Sequence, residues 1–514
     1  MPDSTNSAPS LRFDWLAYCV ALALTIAIGL YAAEWVFHHG YTLYYGDAEA
    51  HLNIARRIFD SKTPGPEQIG TVWLPLPHLA MLPFVRIDAA WKSGLAGAIP
   101  SRFCFILAAM FLFAAARRAY SSIAAAFAVL LIFSLNPNLL YLQATPMTEA
   151  MFAAGITALA WAIVRFRDSQ SIWPILAAGV ASNVASLTRY EGWFLIPFAA
   201  LLMLFVAKRK WHAMLFGAIA TLGPIAWLVH NQYYYSNALE FYNGPWSAMA
   251  IYARQLANGM QRYPGDHDWA AAIKYYFTAS MLVVGLPALA IGAMGMVAAL
   301  IKTRRALLPL AILALPPIFY IWSMHSSGTP IFIPTLWPFS YYNTRYAIVM
   351  LPLAAFAAGA IVAVVPPKSR AATAFILLAI PASIWAIKRE PAVCWKESEV
   401  NSVARRDWTH QAATFFAANY RPGSGILCPF GDLTGILREA GIPLRETIHE
   451  GNEGDWILST SRPYLALRSE WAISFAGDTV ATAVQRAERF GKHYELRRQI
   501  IVKGAPVVEI YQLE

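Results

Sequence analysis

The segment Tyr44-Tyr45-Gly46-Asp47-Ala48-Glu49-Ala50-His51 places two carboxylates just beyond an apolar run, residues 15–37, that is long enough to cross a bilayer. A second, proline-punctuated segment follows, Val72-Trp73-Leu74-Pro75-Leu76-Pro77-His78. Carboxylates at a membrane surface are costly unless they are used. The rest of the chain agrees with a membrane setting. Of its 514 residues, 58% are hydrophobic and 14% charged, and mean hydropathy is +0.44. A soluble protein is about a quarter charged.

Ten further apolar runs follow the first, near residues 99–116, 123–140, 150–164, 172–187, 193–206, 214–234, 276–301, 306–322, 346–365 and 371–387. About eleven helical spans are expected. The net charge of +10 belongs to short loops between them: Arg117-Arg118, Arg165 with Arg167, Lys208-Arg209-Lys210, Lys302 with Arg304-Arg305, and Lys368 with Arg370. Each cluster follows an even-numbered span. The positive-inside rule then puts these loops and the N-terminus in the cytoplasm and the C-terminus outside, with no need to invoke nucleic acid. The first span reads as a retained helix, because a basic n-region and a cleavage site are missing.

Residues 74–91 are apolar enough to suggest another span. However, Pro75, Pro77, Pro83, Arg86 and Asp88 interrupt them, and counting them would invert every later loop. They are expected to lie in the interface. Within the same external loop, residues 47–59 have helical spacing, with Leu52, Ala55, Ile58 and Phe59 on one stripe. Two more external loops, near 236–274 and 323–345, are rich in aromatic residues, which suit either an interfacial girdle or a sugar-stacking wall. After residue 387 the sequence turns polar. A strand at 425–430, a helix at 432–440 capped by Asp432 and ended by Gly441, a strand near 443–448 and another at 507–511 predict an external α/β domain over 388–514, following a membrane module over 1–387. A Cys394–Cys428 disulfide is left open by the sequence, whereas Cys19 and Cys104 fall in apolar runs as packing residues.

Asp47 can cap its helix, and Glu49 can complement the helix dipole. The chemical reading makes Asp47 a general base for an acceptor hydroxyl or amine, with Glu49 orienting the acceptor. Asp-x-Glu as a divalent-cation site is the second reading. No other cofactor is expected. His51 and His78 lie near this pair, and Glu149 opens the fourth span at the membrane edge. Thr188-Arg189-Tyr190-Glu191-Gly192 joins the fifth and sixth spans outside. Arg189 and Arg345 break the charge rule: they are external arginines with forked donors suited to phosphate. Arg189 is as well matched to a pair with Glu149 or Glu191 as to a ligand, while nothing obvious neutralises Arg345. Asp266-His267-Asp268 sits among turn residues and is a weak metal candidate.

This arrangement resembles the GT-C membrane glycosyltransferases, nearest to the protein O-mannosyltransferases and lipid A aminoarabinose transferases. The resemblance is carried by Gly46-Asp47-Ala48-Glu49, Trp73-Leu74-Pro75-Leu76-Pro77-His78, Asn136-Pro137-Asn138 through Pro146-Met147-Thr148-Glu149, and Thr188–Gly192, and it covers roughly residues 15–387. The mannosyltransferases have adjacent Asp-Glu. Here Ala48 intervenes, as in the metal-using GT-C members. The resemblance implies an inverting transfer from a polyprenyl-phosphate sugar to an envelope glycan, lipid or protein acceptor. Asp47 would be the base, Arg189 or Arg345 would stabilise the departing phosphate, and the enzyme would sit in the inner (plasma) membrane with a periplasmic domain. Two competing classes are a lipid-linked sugar flippase using the same arginines and an inactive scaffold. The flippase is disfavoured because no internal repeat and no glycine-broken spans are visible.

Overall fold

The computed structural model describes residues 11–388, 390–463 and 469–514. Each of the eleven apolar runs is helical. Eight of the resulting helices are long and apolar enough to cross a membrane, and three are shorter: Ile123–Ser134, Ile172–Ser186 and Glu191–Val206. Their shared core is built from small and aliphatic residues, and in places the helices are in backbone contact. A β-carbon at Gly155 would crowd the backbone of Ala185, and one at Gly295 would overlap the carbonyl of Ala357. Such close approach suits helices whose association gains little from the hydrophobic effect. Helix Trp269–Lys302 contains a π-helical turn, Met281–Gly285, that frees the Val283 carbonyl. Asn136 and Asn138 donate to that oxygen at 3.0 and 2.9 Å, and Asn136 also caps helix Pro137–Leu142. The Asn-Pro-Asn motif is therefore structural.

The expected basic loops meet at one end of the bundle. Arg117 pairs there with Asp14, Arg118 and Arg167 share Asp168, and Arg167 donates to the Arg305 carbonyl. The other end carries the first long loop. After α1 (Leu11–His38) comes α2 (Gly46–Arg57), which ends where Arg56 and Arg57 complement its dipole. Residues 74–91 form two helices, α3 (Leu76–Val85) and α4 (Asp88–Ser93), before α5 (Leu95–Tyr120) re-enters the bundle.

The C-terminal region begins with a 27-residue helix, Val393–Asn419, and adds a five-stranded sheet. The strands are β1 (Ile426–Leu427), β2 (Thr447–Ile448), β3 (Trp471–Phe475), β4 (Tyr494–Ile500) and β5 (Val508–Leu513), in the order β2-β1-β3-β5-β4. β1 runs parallel to β2 and β3, while β5 is antiparallel to β3 and β4. Asp432 is not a cap: helix Thr434–Ala440 starts after Leu433 without a side-chain cap, and Gly441 closes it at φ +77° as expected. The core under the sheet is shared with the first loop. Leu52, Ala55, Met81, Val85 and Trp91 pack with Trp408, Phe416, Ile426 and Ile473. Cys394 and Cys428 are free thiols, because Cys394 belongs to the bundle core and Cys428 to this second core.

Candidate active site

Helix α2 sets the geometry. Side chains four apart share a helix face, and those two apart do not. Asp47 and His51 therefore point one way, and Glu49 and Asn53 another. Asp47 and His51 line a cavity of about 480 Å³ together with Trp73, Arg189, Glu191 and Arg345. Tyr190 also lines it: its hydroxyl donates to the Val72 carbonyl at 2.9 Å, and its ring stacks on Phe241.

The cavity wall is a network of ion pairs. Arg345 bonds Asp47 and lies 3.2 Å from both Glu149 and Glu397. Arg189 pairs with Glu191 at 2.7 Å and Glu149 at 3.2 Å. Glu149 thus bridges the two arginines from behind. Both arginines are already paired, which corrects the expectation that nothing neutralises Arg345. Four carboxylates face two guanidinium groups. Glu149 and Glu397 are nearly inaccessible, whereas the Asp47 side chain is 43% exposed. Glu191 also lines the cavity but is 6% exposed, so among these carboxylates Asp47 is the most open to an incoming molecule.

Three participants carried no sequence signal. Glu397, on helix Val393–Asn419, accepts from the backbone N–H groups of Asn343 and Thr344 and from the Thr344 hydroxyl. Burial raises its pKa, and Arg345 opposes that shift. Tyr320 bonds both Arg189 and Glu191. The Tyr346 ring lies under both guanidiniums, 4.6 Å from that of Arg189 and 5.0 Å from that of Arg345. Such stacking favours Arg over Lys.

His51 and His78 are brought together, with Nδ1 of His51 2.9 Å from Nε2 of His78. His51 also stacks on Trp73, with ring centroids 4.3 Å apart. His78 is fully buried behind it and does not reach the cavity. Burial, helped by Arg189 and Arg345, lowers the His51 pKa to about 3. The ring is therefore neutral near pH 7 and serves as a hydrogen-bonding group.

Glu49 is placed elsewhere. Its side chain is buried and held by Arg405 and Arg438, both from the C-terminal region. It does not line the cavity. The expectation that it orients an acceptor, or holds a cation jointly with Asp47, is corrected by geometry: the two carboxylates engage different arginines on different sides of α2. Asp266 binds Tyr252 and Ser327, and Asp268 caps a helix, so that motif is structural too.

The comparisons with known proteins bear on this architecture. Residues 87–230 match the family model described as dolichyl-phosphate-mannose-protein mannosyltransferase. No curated protein matches the sequence. The structure is similar to that of ArnT from Cupriavidus metallidurans bound to undecaprenyl phosphate, with a TM-score of 0.58 at 14% identity over 95% of this chain and 97% of that chain. The apo state of the same ArnT gives 0.54 at 16% identity over 98% of each chain. The likeness extends from the first membrane helix through the C-terminal sheet. The chain is a polytopic membrane protein that shares its fold with ArnT.

Proposed function

We propose that this chain is an inverting glycosyltransferase that moves a sugar from a polyprenyl-phosphate donor to an acceptor in the cell envelope. The observation that carries the reading is the convergence of the accessible Asp47 carboxylate with Arg345 and Arg189 on one cavity. A similar fold in ArnT is described with undecaprenyl phosphate bound, which supports this donor class. The basic loops gathered at the other end support a cytoplasmic face there, with the cavity and the 388–514 region on the periplasmic side of the inner membrane.

In the reaction, the acceptor oxygen bonds to the anomeric carbon while its proton passes to Asp47. The bond from that carbon to the phosphate oxygen breaks, and its electron pair leaves with the polyprenyl phosphate. Attack opposite the leaving group inverts the centre. The departing phosphate is already a stable anion, so no strong general acid is required. The forked donors of Arg345 and Arg189 suit its oxygens, and stabilising developing charge in this way is commonly the largest catalytic contribution. The network also sets an order of events. Arg345 releases Asp47 when phosphate takes its place on the guanidinium, so the base is freed only after the donor has bound.

The test uses purified protein in nanodiscs, a radiolabelled polyprenyl-phosphate sugar pool, and membrane extract as acceptor. Asp47→Asn should lower transfer by about 10²- to 10⁴-fold, the usual range for a general base. Equal transfer by wild type and variant would remove Asp47 from the mechanism. Loss on chelation would add a cation to the site. Labelled lipid that crosses vesicles without forming product would favour the flippase.

A further inference from the structure

A second, larger cavity of about 620 Å³ adjoins the first, and Val72 and Trp73 line both. Three parts of the chain build it. The first loop supplies Arg57 and Glu67, the loop following helix Leu222–Tyr235 supplies Glu240 and Trp246, and the C-terminal region supplies Phe430 and Glu450. None of these residues enters the reaction scheme above.

Arg57 is the informative group. It is 9% exposed, and its guanidinium lies 4.1 Å from the Phe430 ring centroid. Nε donates to the Gln68 carbonyl at 2.5 Å. Among the described residues, its two terminal nitrogens have neither a hydrogen bond nor an ion-pair partner, although they belong to a residue lining the cavity. Gly70, at φ +83°, passes so close that a β-carbon would sit 3.1 Å from one of them. The side chain is buried against Phe430 while its terminal nitrogens make no protein hydrogen bond, and burial pulls its pKa down to about 10 against the pull of Tyr235 and Glu450. A ligand in the cavity can supply acceptors to those nitrogens.

The rest of the lining defines that ligand. Glu67, Glu240, Glu450 and Glu453 set four carboxylates against this one guanidinium, which repels a phosphate-bearing molecule. Hydroxyl groups donate to carboxylates and accept from arginine, so a polyol satisfies both. Trp73 and Trp246 offer flat apolar faces of the kind that pack against the C–H face of a sugar ring, and Trp246 is 62% exposed. We propose that this second cavity binds the acceptor as an unphosphorylated saccharide and presents its hydroxyl past Trp73 to Asp47. The acceptor role rests on the transferase reading, whereas saccharide binding can be measured without it.

Saturation-transfer NMR on the full chain in nanodiscs tests the proposal. The probes are methyl α-mannoside, methyl α-glucoside and methyl N-acetylglucosaminide, with glucose 1-phosphate and a Ser/Thr-rich peptide alongside. At least one neutral glycoside should receive saturation on its ring protons and glucose 1-phosphate should not. Trp246→Ala and Glu450→Gln should each weaken that binding by about tenfold. Asp47→Asn should leave it intact while abolishing transfer. Binding without transfer in the wild type would keep this site and discard the transferase reading. No saturation of any glycoside, a signal indifferent to both cavity variants, or binding of the peptide in their place would overturn the proposal.

Discussion

Two faces of one helix, α2, have opposite fates. The Asp47–His51 face opens on the cavity, where a 43%-exposed carboxylate shares Arg345 with two buried ones. On the Glu49–Asn53 face, one buried carboxylate is held by two arginines from the C-terminal region, and Asn53 links Trp91 to Thr434. The first face has more carboxylate than guanidinium, and its bonds can be exchanged for those of a ligand. The second has more guanidinium than carboxylate, and its carboxylate is buried between the two arginines. A carboxylate in an acidic motif is thus open to a ligand or locked to the C-terminal region according to which side of the helix it occupies, and two residues of spacing are enough to separate the two.

Substitutions at these two positions should therefore divide cleanly. Asp47→Asn is expected to give the largest effect, the transfer loss stated above, with a melting temperature close to wild type. Glu49→Gln should do the reverse. It leaves Arg405 and Arg438 buried without their anion, which costs about 3 kcal/mol when a buried pair is broken. Transfer per folded molecule should remain, and hydrogen exchange should rise in helix Val393–Asn419 and Thr434–Ala440. A Glu49→Gln protein that melts like wild type yet has lost transfer would return Glu49 to the chemistry and collapse the distinction between the faces. Further along the latch, Asn53→Ala removes two buried hydrogen bonds, at 3.0 Å from Trp91 and 3.3 Å to Thr434. The expected loss is about 1–2 kcal/mol, read as a drop in melting temperature with unaltered transfer.

Much of this was legible from residue order. The helical runs, the basic loops at one end, the interruption of residues 74–91 and the strands near 426, 447 and 508 follow from hydropathy, charge and turn chemistry, all of which are local. Asp47, His51, Arg189, Tyr190, Glu191 and Arg345, which line one cavity, stood out in the sequence because ionisable and aromatic groups at a membrane edge are conspicuous. Pairings across long sequence separations were not legible. Glu397 meets Arg345 across 52 residues and Arg405 meets Glu49 across 356. Nothing in a polar helix marks which glutamate will be buried. The same limit hid β3 and β4, whose identity depends on pairing with β5. It also hid the way α2 and Trp91 complete the core of the C-terminal sheet, so that a boundary at 387/388 divides the sequence but not the packing.

The smallest predicted effect probes the cavity face through His51. Its contact with His78 needs one ring to donate N–H and the other to accept, so it fails when both rings are protonated. Arg189 and Arg345 add repulsion, and burial is the main cause of the lowered pKa of about 3. An unfolded histidine takes up its proton near pH 6.5, while the folded one stays neutral down to about 3. The unfolded state therefore binds more protons throughout that window, and stability must fall as pH falls below about 6.5, by at most about 1.4 kcal/mol per pH unit for this group. Above pH 6.5 the contribution is constant. Melting temperatures of wild type and His51→Gln at pH 7.5, 6.5 and 5.5 measure the difference. The wild type should lose stability more steeply between 6.5 and 5.5, and the two should run parallel above. Equal slopes would mean that His51 titrates normally, and the cavity face of α2 would then be far wetter and less constrained than the latch face it is compared with.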